Sequence, residues 1–128
     1  MKKETKVVTT SFSKVWLDED GICRVVLMPG IVVGLVEMQE NLAVQIKLQG
    51  AGKKPTLVDM RKIKNSTREA RDFSAGKEYD QALSAVAILE NTVIGKILRN
   101  LFINFSKPIY PTKLFTSEDT AIDWLKGL

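Results

Sequence analysis

Ala82-Leu83-Ser84-Ala85-Val86-Ala87-Ile88-Leu89 is the stretch on which the fold turns. It is a short, continuous apolar run. Directly after it the period changes: Ile94, Ile97, Leu98, Leu101, Phe102 and Phe105 recur at helical spacing and form one apolar stripe. An apolar run this short, with a helix following at once, reads in its second half as a central parallel strand. Asn91 or Thr92 can cap the helix start, and Pro108 and Pro111 bracket its exit.

Working back toward the N-terminus, Thr56-Leu57-Val58-Asp59-Met60 reads as another short strand, apolar enough for burial on both faces. A basic loop from Arg61 to Lys64 leads to Asn65-Ser66-Thr67, which opens a helix. Ser66 with Glu69 three residues on has the spacing of a capping box, and Gly76 interrupts the helix. From Ile31 to about Leu48 a helical period places Ile31, Leu35, Met38, Leu42 and Ile46 on one face. Glu37, Glu40, Asn41, Gln45 and Lys47 fall largely off it, and Gly50-Ala51-Gly52 ends the helix. Before this, Phe12–Leu17 and Ile22–Met28 flank Asp18-Glu19-Asp20-Gly21 and read as a β-hairpin. The first ten residues read as a frayed or loosely paired extension.

Toward the C-terminus, Thr112-Lys113-Leu114-Phe115 is a last short strand. Thr116-Ser117-Glu118-Asp119 caps a final helix, whose buried side comes from Ala121, Ile122, Trp124 and Leu125. The predicted order is β-β-α-β-α-β-α-β-α. The hairpin is antiparallel; each later strand follows a helix and should run parallel through right-handed crossovers. The expected fold class is therefore α/β (α+β): one domain with a mixed sheet of about five strands and helices packed on it.

Composition narrows the function classes. The chain has 128 residues, 45% of them hydrophobic and 27% charged, which suits one ordinary globular domain. No apolar run is long enough to span a membrane, and the apolar stretch after the basic start is too short for a signal peptide. A cytoplasmic location is expected. One cysteine and no histidine leave no internal disulfide and no cysteine-based zinc site. The commonest general base and metal ligand is missing too. No cofactor and no metal are expected. The net charge of +4 allows an acidic partner without demanding nucleic acid.

The order of elements, from about Phe12 to Leu128, resembles the SpoIIAA-like or STAS group, the sulphate-transporter and anti-sigma-factor-antagonist domains and their stand-alone bacterial relatives. The resemblance rests on three features: the hairpin ahead of a long helix, Leu57-Val58-Asp59-Met60 followed by a Ser/Thr-containing helix start, and the ending Lys113 to Leu125 with its Ala121-x-x-Trp124-Leu125 helix. It implies a non-enzymatic regulatory or protein-interaction module. In the anti-sigma antagonists a serine at the second helix start is phosphorylated, within an Asp-Ser-Ser-Gly-type sequence. The matching stretch here, Asn65-Ser66-Thr67-Arg68, lacks the acid and the glycine. The chain is more similar to stand-alone members without that motif, some of which resemble a lipid-carrier fold. That implies a second function class, a binder of a lipophilic or anionic small ligand.

Three groups of residues are candidates. Ser66 and Thr67 are candidates for a helix cap or for phosphorylation, with basic neighbours to meet a phosphate. Arg61, Lys62, Lys64, Arg68 and Arg71 lie beyond a strand's carboxyl end and could contact an anion or an acidic partner, or form a solvated surface. No aromatic interleaves with these charges before Phe73, so no nucleic-acid partner is expected. Phe102 and Phe105 could line an apolar pocket or an interface, or sit in the core. Asp59 reads as a loop-fixing acid and Cys23 as a buried, inert thiol. Pairing through an open N-terminal edge strand would give a homodimer.

Overall fold

The computed structural model describes residues 5–91, 95 and 108–128. The predicted helix from Ile94 to Phe105, with Phe102 and Phe105, lies outside the described residues.

The hairpin forms as its sequence dictates. β2 (Ser13–Leu17) and β3 (Cys23–Leu27) pair antiparallel, with Val15 opposite Val25. Val15, Cys23, Val25 and Leu27 turn inward, in the alternation a half-covered strand requires. The turn is held by Asp18, whose Oδ1 accepts from the amides of Asp20 at 2.9 Å and Ile22 at 3.0 Å. Gly21 closes it at φ +77°, a conformation that favours glycine.

Beside β3 lie β5 (Lys54–Asp59), β7 (Leu83–Leu89) and β8 (Thr112–Phe115), each parallel to its neighbour. Parallel strands demand covered faces, and β7 at the centre shows it: every residue but Ser84 is buried. One face carries α1 (Leu35–Gln49), α2 (Arg68–Ala75) and α3 (Lys77–Asp80). The other carries α4 (Glu118–Lys126), whose Ala121 and Leu125 pack on Ile22, Leu57, Ala85, Ala87 and Leu89.

Among the described residues the sheet has six strands in the order β1-β2-β3-β5-β7-β8, one more than expected. The extra strand is β1 (Val8–Thr9), the loosely paired extension, which bonds along β2. A separate two-stranded ladder joins β4 (Val32–Val33) to β6 (Asn65–Ser66) in parallel.

That ladder corrects the start of α1, which was expected at Ile31. The amide of Gly30 donates to Lys62 O, those of Lys64 and Asn65 donate to Ile31 O, and that of Thr67 donates to Val33 O. These bonds hold Ile31–Val33 extended and leave Gly34 as the N-cap. Its amide donates to Glu37 Oε1 at 3.0 Å.

The buried face of α1 is also corrected. Leu35 and Ile46 are 37% and 45% exposed, whereas Asn41 and Gln45 are 3% and 0% exposed. With Gln49 they form a buried amide stripe at i, i+4 and i+8. A helix can turn such a face inward only when the amides find partners, as these do.

Candidate functional site

Between the sheet and α1–α2 lies a cavity of about 100 Å3. Its floor is apolar, made by Val25 and Leu27 of β3, Val58 of β5, and Val86 and Ile88 of β7. Met38, Ile63, Ala70 and Ala75 add apolar walls. Tyr110 closes one side and donates from its hydroxyl to Ser74 O. Polar side chains also stand at the wall, and among the described residues these include Asn41, Gln45, Thr56, Ser66, Arg71 and Tyr79.

The amides at the wall form a one-way relay. Gln49 Nε2 donates to Ala82 O at 3.0 Å. A backbone carbonyl only accepts, so Gln49 must present its nitrogen there and its oxygen toward Gln45. Gln45 Nε2 donates to that oxygen at 3.1 Å and to Thr56 Oγ1 at 2.8 Å. Gln45 Oε1 therefore faces Asn41, whose Nδ2 donates to it at 3.4 Å and to Tyr79 Oη at 2.9 Å. Tyr79 in turn donates to Met38 O at 2.8 Å. One carbonyl thus fixes the orientation of three side-chain amides. The relay ends on Asn41 Oδ1, which is buried and accepts no hydrogen bond.

Burial pushes the Tyr79 hydroxyl far above its ordinary pKa, against the opposing hydrogen bond from Asn41. Tyr110 is raised likewise, by burial first and by the charge of Asp80 second. Both hydroxyls stay neutral donors. Among the described residues, no three His, Cys, Asp or Glu side chains come together in a way that could hold a metal ion.

The family DUF7793, described as a domain of unknown function, matches residues 15–128. This chain belongs to that family. Its fold is similar to the crystal structure of an uncharacterized protein from Shewanella loihica PV-4, of the DUF3478 family with a SpoIIAA-like fold. The two share 14% identity with a TM-score of 0.53, over 95% of this chain and 92% of that one. The DUF7793 chain therefore has a SpoIIAA-like fold. No curated protein matches it.

In this DUF7793 domain the residues singled out from sequence are dispersed. Thr67, not Ser66, caps α2: its Oγ1 accepts from the Ala70 amide at 3.1 Å. The capping box expected from Ser66 and Glu69 does not form, because β6 holds Ser66 in the ladder with Val33. Ser66 instead receives Arg71, whose Nη1 donates to Ser66 O at 2.5 Å and Oγ at 3.1 Å.

The basic cluster is divided among internal partners. Arg61 makes a two-pronged contact with Asp59, at 3.0 and 2.8 Å. Burial opposes ionisation of Asp59, but the hydrogen bonds from the side chain and backbone of Arg61 outweigh it and hold the carboxyl below its ordinary pKa. Arg68 pairs with Asp72 one turn on, at 3.7 Å. Arg71 reaches the cavity wall; Lys62 and Lys64 remain exposed on the loop. Cys23 is fully buried in β3, where burial and then the charge of Asp18 push its thiol up to about 12.

Sequence reasoning missed the cavity and the relay. The signal was present as Asn41, Gln45 and Gln49, three amides on one stripe, but polarity alone assigned Asn41 and Gln45 to the outer face.

No helix among the described residues is long and apolar enough to cross a membrane.

Proposed function

We propose that this chain is a non-enzymatic binding module that holds a small, largely apolar ligand between its sheet and α1–α2. The cavity carries this reading: about 100 Å3 of space walled mainly by aliphatic side chains, at a place where a well-packed core leaves none. A cavity of roughly 150 Å3 lined by aliphatic groups takes benzene. The space here suits a ligand of that size or slightly less. The SpoIIAA-like fold supplies no function by itself.

Titration with benzene, followed by methyl NMR, tests the reading. Binding should move the methyl signals of Val25, Val86 and Ile88, which line the cavity, and leave Leu125 on the opposite face unmoved. Native mass spectrometry of gently purified protein should then show the natural occupant as an added mass. Unmoved cavity methyls at saturating benzene would sink the proposal.

Docking of a partner protein on the surface of α2 has less support. Arg61 and Arg68 already face Asp59 and Asp72, and Arg71 gives its Nη1 to Ser66 while its buried Nε–H has no hydrogen-bond partner among the described residues. Reversing the charges of Lys62 and Lys64 should leave ligand binding unchanged.

A further inference from the structure

We infer that the cavity selects a small neutral molecule carrying one N–H or O–H donor, which it recognises through Asn41 Oδ1. This rests on the binding reading above and names the chemistry of its ligand.

The argument is one of hydrogen-bond direction. Asn41 is 97% buried by its 3% exposure and lines the cavity, and its Oδ1 accepts nothing. The side chain cannot relieve this by flipping. Flipping would set Asn41 Oδ1 against Gln45 Oε1, and turning Gln45 as well would set its oxygen against Gln49 Oε1. Turning Gln49 in its place would set oxygen against Ala82 O. In the orientation that Ala82 O sets, the free end of the relay is an acceptor. Both hydrogens of Asn41 Nδ2 are already used, on Tyr79 and Gln45.

An acceptor left unpaired in an apolar surrounding is costly, and a ligand donor removes that cost. The relay behind it polarises the oxygen further, because chained hydrogen bonds strengthen one another. A charged donor is disfavoured. Arg71 lines the same cavity and its buried Nε–H has no hydrogen-bond partner among the described residues, so an ammonium would meet desolvation and like charge together, whereas an acceptor on the same neutral molecule would be met by that N–H. Asn41 Oδ1 is itself closed off, so a donor reaches it by displacing a wall side chain; Met38, unbranched and lining the same cavity, is adaptable in that way.

Pyrrole and furan form a suitable probe pair. They are five-membered rings of nearly equal size; pyrrole has an N–H donor and furan has none. Both are titrated by NMR into the wild-type chain and into Asn41→Leu. The pyrrole-to-furan affinity ratio should fall roughly ten-fold in the variant, about 1.4 kcal/mol. Taking the ratio in both proteins cancels the different costs of removing the two rings from water. Should Asn41→Leu fail to fold, the wild type still decides: pyrrole should shift the Asn41 side-chain carbonyl carbon and furan should not. If both rings bind and neither the ratio nor the carbonyl responds, the donor rule is wrong and the cavity reading survives. If neither ring nor benzene binds, both fall.

Discussion

At the scale of single residues, Gln45 shows most about how this core is built. It is a 0% exposed amide that bridges Gln49, Thr56 and Asn41. Gln45→Leu has nearly the right volume but strands Gln49 Oε1 and one hydrogen of Asn41. An unpaired buried polar group costs about 1–3 kcal/mol, so the variant should lose about 2 kcal/mol or more. Replacing Asn41, Gln45 and Gln49 together with leucine should cost less than the sum of the three single changes, because the amides no longer strand one another and only Thr56 Oγ1, Ala82 O and Tyr79 Oη lose a donor. Urea unfolding of the four variants measures both statements. A triple variant as damaged as the sum would mean that the amides do not act as one chain.

At the scale of elements, α2 separates two hydroxyls that look alike in sequence. Thr67 accepts from the Ala70 amide and starts the helix, whereas Ser66 sits one residue earlier in a strand ladder. Thr67→Ala should cost about 1 kcal/mol, the usual loss for a missing cap. Ser66→Ala keeps the cap and removes only the 3.1 Å contact with Arg71, so its loss should be the smaller. Thermal unfolding distinguishes them, and equal losses would argue against Thr67 as the cap. The same two residues show where the sequence was legible. The second half of β7, strand β8 and helix α4 followed from short apolar runs and periodicity, which depend on neighbours a few residues away; β7 also takes in the run's first half from Leu83. The shift of the cap by one residue, and the late start of α1, come from hydrogen bonds between Ile31–Val33 and Lys62–Thr67. Two segments about 30 residues apart must meet before either boundary exists, and local patterning carries no trace of that. The cavity is of the same kind, since its walls come from β3, β5, β7, α1 and α2.

At the scale of the whole molecule, three titratable groups from distant parts of the chain are buried in one apolar cluster. Cys23 comes from β3, Tyr79 from α3, and Tyr110 from the loop before β8. Burial raises the pKa of each, Cys23 to about 12 from 9.0 and both tyrosines above 10.0. At neutral pH all three are uncharged whether the chain is folded or not, so they leave stability unaffected there. Above about pH 9 the unfolded chain releases the thiol proton while the folded chain keeps it, and from about pH 10 the tyrosines follow. The folded state then binds more protons than the unfolded one, and stability must fall with rising pH. The thiol alone contributes a slope of about 1.4 kcal/mol per pH unit once the unfolded chain has ionised, and the tyrosines steepen it. The urea midpoint should therefore hold from pH 7 to about 8.5 and drop steeply beyond 9. Cys23→Ala should start lower, because it leaves a small void, but decline less between pH 9 and 10. The comparison isolates the thiol, since both proteins share the tyrosines and every lysine. Parallel curves for the two proteins would mean that Cys23 ionises as easily folded as unfolded, and that the hairpin does not seal the core as its register requires.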